Sequence, residues 1–547
     1  MRARPQPSPV SFGLRSCHSV AGLTHRGYRR IIRRSRYHPP LYPQAVRRTR
    51  IIATLGPSSG DEHTLRAMIE AGMDVARLNY SHGSLEDKSA LIRVIRLLEA
   101  EMGRPIGILA DLPGPKLRLG RFDETFELEE GGLIAFHCGQ SDGRYIDIRA
   151  KDEAIGLLSP DDISEAESMT HIPVPEAMLS TGLDEGDPVL VADGLLRFVV
   201  EYAPKEAGKI VILRTVDAGP VSERKGINVP GTLLGVPSMT EKDVIALDHA
   251  LLNKVDFIAV SYVRSAEDLI PVQKRIKEEG VHTPVIAKIE HPLALESLDE
   301  ILDVCGGVMV ARGDLGVEIP LAELPLAQER IIRDAQSRGL PATVATQMLE
   351  SMIHSPRPTR AEVTDIATAI RQGASSIMLS GETAMGSHPV AAVKTMADIA
   401  DRVDQVLVEV EEPDHSASFQ ATRVIVHAAV VLAHEIEANR VLICTEHATA
   451  ARLAAAHRPR QMITALTTRQ RAERRTTLFR GVDSVLVTEQ KRSRDTIRDA
   501  IQLLLEDGRL SNGDMVVTTS GSPDAITGAT SAIRALRITD DGDLTWP

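Results

Sequence analysis

Eight short runs of β-branched and aliphatic residues, each followed by an amphipathic stretch, constrain this chain more than any other feature. They are Arg50 to Leu55, Val75 to Asn79, Ile106 to Asp111, Phe257 to Tyr262, Val285 to Glu290, Gly307 to Ala311, Ala342 to Thr346 and Ser376 to Ser380. A strand that faces water on one side alternates apolar and polar residues, so near-continuous apolar runs predict parallel strands buried on both faces. Between them lie helix starts: Thr240-Glu-Lys-Asp243 and Thr359-Arg-Ala-Glu362 put a hydroxyl at the cap and a carboxylate three residues on. Eight such units predict an α/β fold, a (β/α)8 barrel over residues 47–117 and 220–400.

Two stretches differ in texture. Residues 118–219 are rich in Gly, Asp and short alternating segments such as Pro188 to Val200, and predict a small inserted β domain. Residues 415–547 carry a long helical segment, Phe419 to Glu437, then runs at Val441 to Cys444, Met462 to Leu466, Val485 to Val487, Met515 to Thr519 and Ile533 to Ile538. These predict a separate C-terminal α/β domain. Residues 1–46 hold nine arginines, no lysine and no acid, with no period that would bury a face, so disorder is expected there. The extension reads as an over-extended start, a transit peptide or a nucleic-acid arm. Localisation is expected to be cytoplasmic, or organellar if the extension is a transit peptide.

The net charge of −12 becomes more acidic still without the arginine-rich extension, which argues against a nucleic-acid partner. No apolar stretch approaches the ~18 residues of a membrane helix, so no membrane partner is expected. The four cysteines are scattered with no CxxC pair, which predicts neither a disulfide framework nor a zinc site. Small molecules are the expected partners.

Barrel active sites are built at the C-terminal ends of the strands. Here those ends read Arg77-Leu-Asn-Tyr-Ser-His-Gly83, Asp111-Leu-Pro-Gly-Pro-Lys116, Lys288-Ile-Glu290, Arg312-Gly-Asp314, Thr346-Gln347 and Ser380-Gly-Glu-Thr383. Lys288 and Glu290 are two apart on one strand and share a face, with Asp314 following the adjacent strand. Two carboxylates held close repel unless a cation joins them, and hard oxygen donors suit Mg2+ or Mn2+. The plainer alternative is a buried Lys288–Glu290 ion pair, which leaves Asp314 and Arg77 without explanation.

From about residue 47 onward the chain resembles the pyruvate kinase family. The strings that carry the likeness are Ala53 to Pro57, Arg77 to Gly83, Ala287 to Glu290, Val308 to Pro320, Ala345 to Met352, Pro356 to Glu362 and Met378 to Ala384. The resemblance implies transfer of the phosphoryl group of phosphoenolpyruvate to ADP, giving pyruvate and ATP, as the last step of glycolysis. It implies that Lys288 stabilises the transition state, that Arg77 binds the phosphate, and that Glu290 and Asp314 hold Mg2+. The backbone amides of Gly313 and Asp314 and the Thr346 hydroxyl would receive the substrate carboxylate. Asn79, Tyr80, Ser81, His82, Arg118 and Lys225 match nucleotide-contact positions. The enolate proton donor stays unassigned among Thr346, Ser380 and Glu382 with a water chain. The family's architecture makes the insert a small β-barrel lid domain, and a homotetramer is the family default. A metal-dependent aldolase or lyase would not need the Arg77 to Gly83 segment or Lys225 on the lid side, and a catalytically dead descendant would be expected to have lost Lys288, Glu290 or Asp314.

Two departures carry expectations of their own. Family members that need K+ hold it near the positions of Asn79, Ser81, Asp111 and Leu112, with Thr at the last of these and Glu at that of Lys116. Leu112 and Lys116 here resemble the potassium-independent subgroup, in which the lysine ammonium replaces the ion, so K+ is not expected to be required. The stretch Thr445 to Ala451 lacks the hydroxyls and glycine of a sugar-phosphate loop, so fructose 1,6-bisphosphate is not expected to be a strong activator.

Overall fold

The computed structural model describes residues 47–146, 153–154, 156–157, 169–192, 194–231, 237–407, 420–488, 493–521, 530–539 and 544–545. The expectation of disorder over residues 1–46 falls outside them. The eight apolar runs form strands β1 (Arg50–Thr54), β2 (Val75–Asn79), β3 (Gly107–Asp111), β4 (Phe257–Val263), β5 (Val285–Ile289), β6 (Gly307–Ala311), β7 (Ala342–Ala345) and β8 (Ser376–Leu379). All pair in parallel with sequence neighbours, and β1 closes the barrel on β8. The two anticipated capping boxes are present: Thr240 opens the helix Glu241–Leu252 and Thr359 opens Arg360–Arg371.

Alternate strand residues face two different cores. Ile51, Ala53, Ala76, Ile108 and Ile258 join the layer beneath the surrounding helices, whereas Ile52, Val75, Leu109, Phe257 and Ile286 belong to a cluster continuous with Leu478, Phe479 and Val482 of the C-terminal domain. The segment Gln470–Leu478 therefore packs on the barrel's N-terminal side, where arginines fix it. Arg474 reaches Glu99 at 2.6 Å and Arg480 reaches Asp404 at 2.7 Å. Chemistry is left to the opposite mouth.

The insert is a six-stranded sheet in the order Ile227–Asn228, Pro188–Val191, Leu196–Tyr202, Ile210–Thr215, Leu133–Cys138 and Thr170–Val174. Its core centres on the fully buried Phe136 and Phe198. The sheet runs past residue 219 to Asn228, because Ile227 and Asn228 pair with Val191 and Leu190 on the chain's return to the barrel. In the C-terminal domain, Val482–Leu486, Met462–Thr467, Arg440–Cys444 and Met515–Ser520 are parallel neighbours, and Ala532–Ile538 adds an antiparallel strand that Leu544–Thr545 extends. The strand anticipated at Val485 to Val487 begins three residues earlier, because Asp483 and Ser484 interrupt its apolar pattern yet still pair with Thr464 and Ala465. Among the described residues no helix is long and apolar enough to cross a membrane.

Candidate active site

Register brings the charged strand ends together. Thr54 pairs with Arg77 across β1 and β2, and Asn79 with Asp111 across β2 and β3. Arg77 donates through Nε to Asp111 Oδ2 at 2.7 Å and through Nη1 to Thr54 Oγ1 at 2.8 Å. Its guanidinium is thus locked in orientation at the barrel mouth.

Lys288 sits at the centre of the cluster. Its Nζ lies 2.9 Å from Glu290 Oε1 and 3.3 Å from Asp111 Oδ1, and it donates to Ser261 Oγ at 2.7 Å. Burial works against its charge, but Asp111 and Glu290 outweigh burial and hold the ammonium above the ordinary lysine range. Asp111 shows the complementary effect: burial would raise it, while Lys288 and Arg77 bring it below the usual carboxylate range. The ion pair of Lys288 and Glu290 therefore exists, inside a larger constellation.

Glu290 uses its second oxygen to accept from the amide of Tyr262 at 2.7 Å. Its carboxyl is pushed up by burial and by the charge of Asp314, and Lys288 opposes the shift. Asp314 is therefore close enough to Glu290 for its charge to be felt there. Asp314 Oδ1 is met by Lys116 Nζ at 2.7 Å, and both side chains are about one-quarter exposed. Lys116 thus reaches Asp314 from the solvent-facing rim of the site. Three carboxylates, Asp111, Glu290 and Asp314, are balanced by three cations, Arg77, Lys288 and Lys116.

Two hard carboxylates that repel one another fit a divalent oxygen-binding cation such as Mg2+ or Mn2+. Among the described residues no three His, Cys, Asp or Glu side chains gather into a metal cage, so such an ion would complete its shell with water and substrate oxygens.

Gly313 and Asp314 lie in the first turn of the short helix Arg312–Glu318. The Gly313 amide donates to Thr346 Oγ1 at 2.8 Å, so two of the residues expected to receive a carboxylate are bonded to each other here. Thr346 and Gln347 hold φ of +70° and +54°, a costly conformation for residues with a Cβ. Arg312 fixes this turn by donating to the Thr346 carbonyl at 2.7 Å while pairing with Asp365. Glu382 accepts from the amides of Leu349 and Ser380 at 3.0 and 2.7 Å, which occupies it as a loop anchor. Ser380 Oγ is buried without a protein partner.

The expected nucleotide positions spread over the rim. Asn79 accepts from the Ser81 amide at 3.0 Å, and the Tyr80 hydroxyl is taken up by His249 Nδ1 at 3.0 Å. His82 is lowered by burial and by the positive charges of Arg118, Lys88 and Arg77. Arg118 bridges to Gly226 beside Lys225, on the insert.

Sequence reasoning missed four participants. Ser261 looks like an ordinary strand residue, yet β4 aims it at Lys288. Lys88 lies in a helix and carried no motif signal. Asn228 donates to Glu318 Oε1 at 2.8 Å, joining the insert's edge strand to the helix that bears Asp314. The position of Asn228 within Lys225 to Gly231 was a usable signal, and so was that of Glu318 within Val308 to Pro320, but neither indicates a partner.

The chain is similar to known proteins over most of its length. Residues 46–393 match the family model described as pyruvate kinase, barrel domain, and residues 423–536 match that of the pyruvate kinase alpha/beta domain. A pyruvate kinase of Mycobacterium tuberculosis is 37% identical over 498 residues, covering 91% of this chain and 99% of its own. One from Methylorubrum extorquens is 38% identical over 506 residues, covering 90% and 98%. A crystal structure of a pyruvate kinase from Cryptosporidium parvum superposes with a TM-score of 0.78 at 30% identity, over 90% of this chain and 96% of that one.

Proposed function

The chain belongs to the pyruvate kinase family, and from that premise we propose that it transfers the phosphoryl group of phosphoenolpyruvate to ADP at the mouth formed by β2, β3, β5 and β6. The observation that carries this reading is the neutral cluster in which Arg77, Lys288 and Lys116 oppose Asp111, Glu290 and Asp314. Phosphoryl transfer needs positioning and charge neutralisation more than covalent chemistry. Such a cluster is preorganised for it.

Arg77, held by Asp111 and Thr54, orients the transferring phosphate. Lys288 presents an ammonium that its acids keep charged, and it stabilises the negative charge that develops as the phosphoryl group leaves the enolate oxygen. Glu290 and Asp314 would hold Mg2+, which would supply Lewis-acid neutralisation of the substrate oxygens. Opening of the bond between Gly313 and Thr346 frees the Gly313 amide for the substrate carboxylate, and the Thr346 hydroxyl donates to it by turning from the Ala345 carbonyl that it meets at 2.5 Å. Lys88, Arg118 and Lys225 offer cations to the nucleotide phosphates.

Lys116 adds a covalently tethered monovalent charge at the place where relatives with glutamate would need a potassium ion, so the enzyme works without K+. Like charges ~4 Å apart cost roughly 4 kcal/mol at an effective dielectric of ~20, which discourages a second cation. Pyruvate formation followed in a tetramethylammonium buffer should require phosphoenolpyruvate, ADP and Mg2+ together. A rise of about tenfold on adding about 100 mM KCl at matched ionic strength would refute potassium independence. The loop Thr445 to Ala451 pairs Glu446 with Arg469, which supports the view that fructose 1,6-bisphosphate is not a strong activator.

A further inference from the structure

Lys116 and Lys288 each hold one of the two carboxylates assigned to the metal, but they do so differently. Lys288 is almost fully buried and has three partners, Glu290, Asp111 and Ser261. Glu290 has both oxygens engaged, one by Lys288 and the other by the Tyr262 amide. At Asp314, by contrast, the ion pair with Lys116 lies on the solvent side, with side-chain exposures of 24% and 25%.

The loop that carries Lys116 is pinned at its base. The Gly114 amide donates to Asp243 Oδ1 at 2.9 Å, and a Cβ on Gly114 would come within 2.7 Å of Ser261 Cβ, so this turn is pressed against the end of β4. Gly114 also holds φ of +69°, in the left-handed region. The backbone cannot readily withdraw, whereas the lysine stem beyond it has four rotatable carbons and is partly in solvent. The ammonium can leave Asp314 without moving the fold.

Resting on the reading that Glu290 and Asp314 hold the divalent cation, we infer that Lys116 is the internal counter-ion of Asp314 in the metal-free enzyme and is displaced from it when the metal binds. A lysine ammonium 2.7 Å from Asp314 Oδ1 competes with a divalent cation for that carboxylate, both by occupying the oxygen and by repelling a second positive charge beside it. The exchange replaces one positive charge on Asp314 by two. It leaves the freed ammonium over the barrel mouth, tethered by the Gly114 turn, where a substrate phosphate arrives. Lys116 thereby links metal loading to the charge presented to substrate.

The test uses the full chain without substrate and Mn2+ as the probe, with binding followed by electron paramagnetic resonance. Lys116→Met should bind Mn2+ about threefold tighter or more, because a competitor for Asp314 has gone. Asp314→Asn should bind it about tenfold more weakly or worse. Removing any nearby positive charge would also tighten Mn2+, so a second readout isolates displacement: labelling of Lys116 by an amine-reactive reagent, quantified by mass spectrometry. Saturating Mn2+ should raise labelling at Lys116 severalfold in the wild type and leave it unchanged in Asp314→Asn. Unaltered labelling, or unaltered Mn2+ affinity in Lys116→Met while Asp314→Asn loses it, overturns the inference and leaves the metal assignment standing. Unaltered Mn2+ affinity in Asp314→Asn overturns the metal assignment itself and the inference with it.

Discussion

Lys288 is the side chain whose surroundings speak most directly of chemistry. A buried ammonium with two carboxylates and a hydroxyl around it stays charged throughout the neutral range. Replacing it by methionine keeps the approximate volume but removes the charge opposite the leaving oxygen. Lys288→Met should lower kcat for pyruvate formation by a factor on the order of 10² to 10³ while the protein still melts cooperatively; turnover within about threefold of wild type would exclude the role given to it. Lys288 and Glu290 were legible in the sequence because strand periodicity places residues two apart on one face. Ser261 was not, since a single hydroxyl in an apolar strand has no periodic signature and acquires its meaning only when β4 lies beside β3 and β5.

At the scale of elements, the edge strand Ile227–Asn228 links the insert to the helix Arg312–Glu318 through one buried hydrogen bond from Asn228 to Glu318. Burial and the charge of Asp314 raise the carboxyl of Glu318, so loss of its donor leaves an acid in a poor setting. Asn228→Ala should destabilise this junction by about 1–3 kcal/mol, read as faster hydrogen exchange in the Ile227–Asn228 strand; exchange as slow as in wild type would show that the bond carries no load. The strand pair β1 and β2 is tied by Asp74, which meets Arg47, Arg50 and Arg104 at 2.8, 3.1 and 2.8 Å. Burial alone would raise Asp74, but these arginines bring it well below the usual carboxylate range. A depressed folded pKa means that its contribution is complete above the unfolded value of about 3.9 and is lost as pH falls below that. Asp74→Asn should therefore cost about 3–5 kcal/mol at neutral pH, and the gap from wild type in denaturant melts should narrow below about pH 4. A gap independent of pH would contradict the ion-pair explanation.

Taken as a whole, the molecule puts arginine-rich docking on the N-terminal side of the barrel and acid-lysine chemistry on the other. The barrel was readable from eight apolar runs because each strand is buried on both faces, which leaves an unambiguous local pattern. The packing of Gln470–Leu478 against the barrel was not, since an arginine such as Arg474 in an isolated helix looks like solvated charge until Glu99 is seen beneath it. The pairing of Lys116 with Asp314 was hidden for a similar reason: the two are far apart in sequence and meet only across the closed barrel. If this mouth transfers a phosphoryl group with a cation held by Glu290 and Asp314, turnover depends on that cation through Asp314. The most direct measurement is pyruvate formation from phosphoenolpyruvate and ADP as a function of Mg2+, in wild type and in Asp314→Asn. Wild type should turn over only with Mg2+, and Asp314→Asn should need at least about tenfold more of the ion or lose activity. Absence of pyruvate from the wild type, or identical Mg2+ dependence in both, would contradict the account.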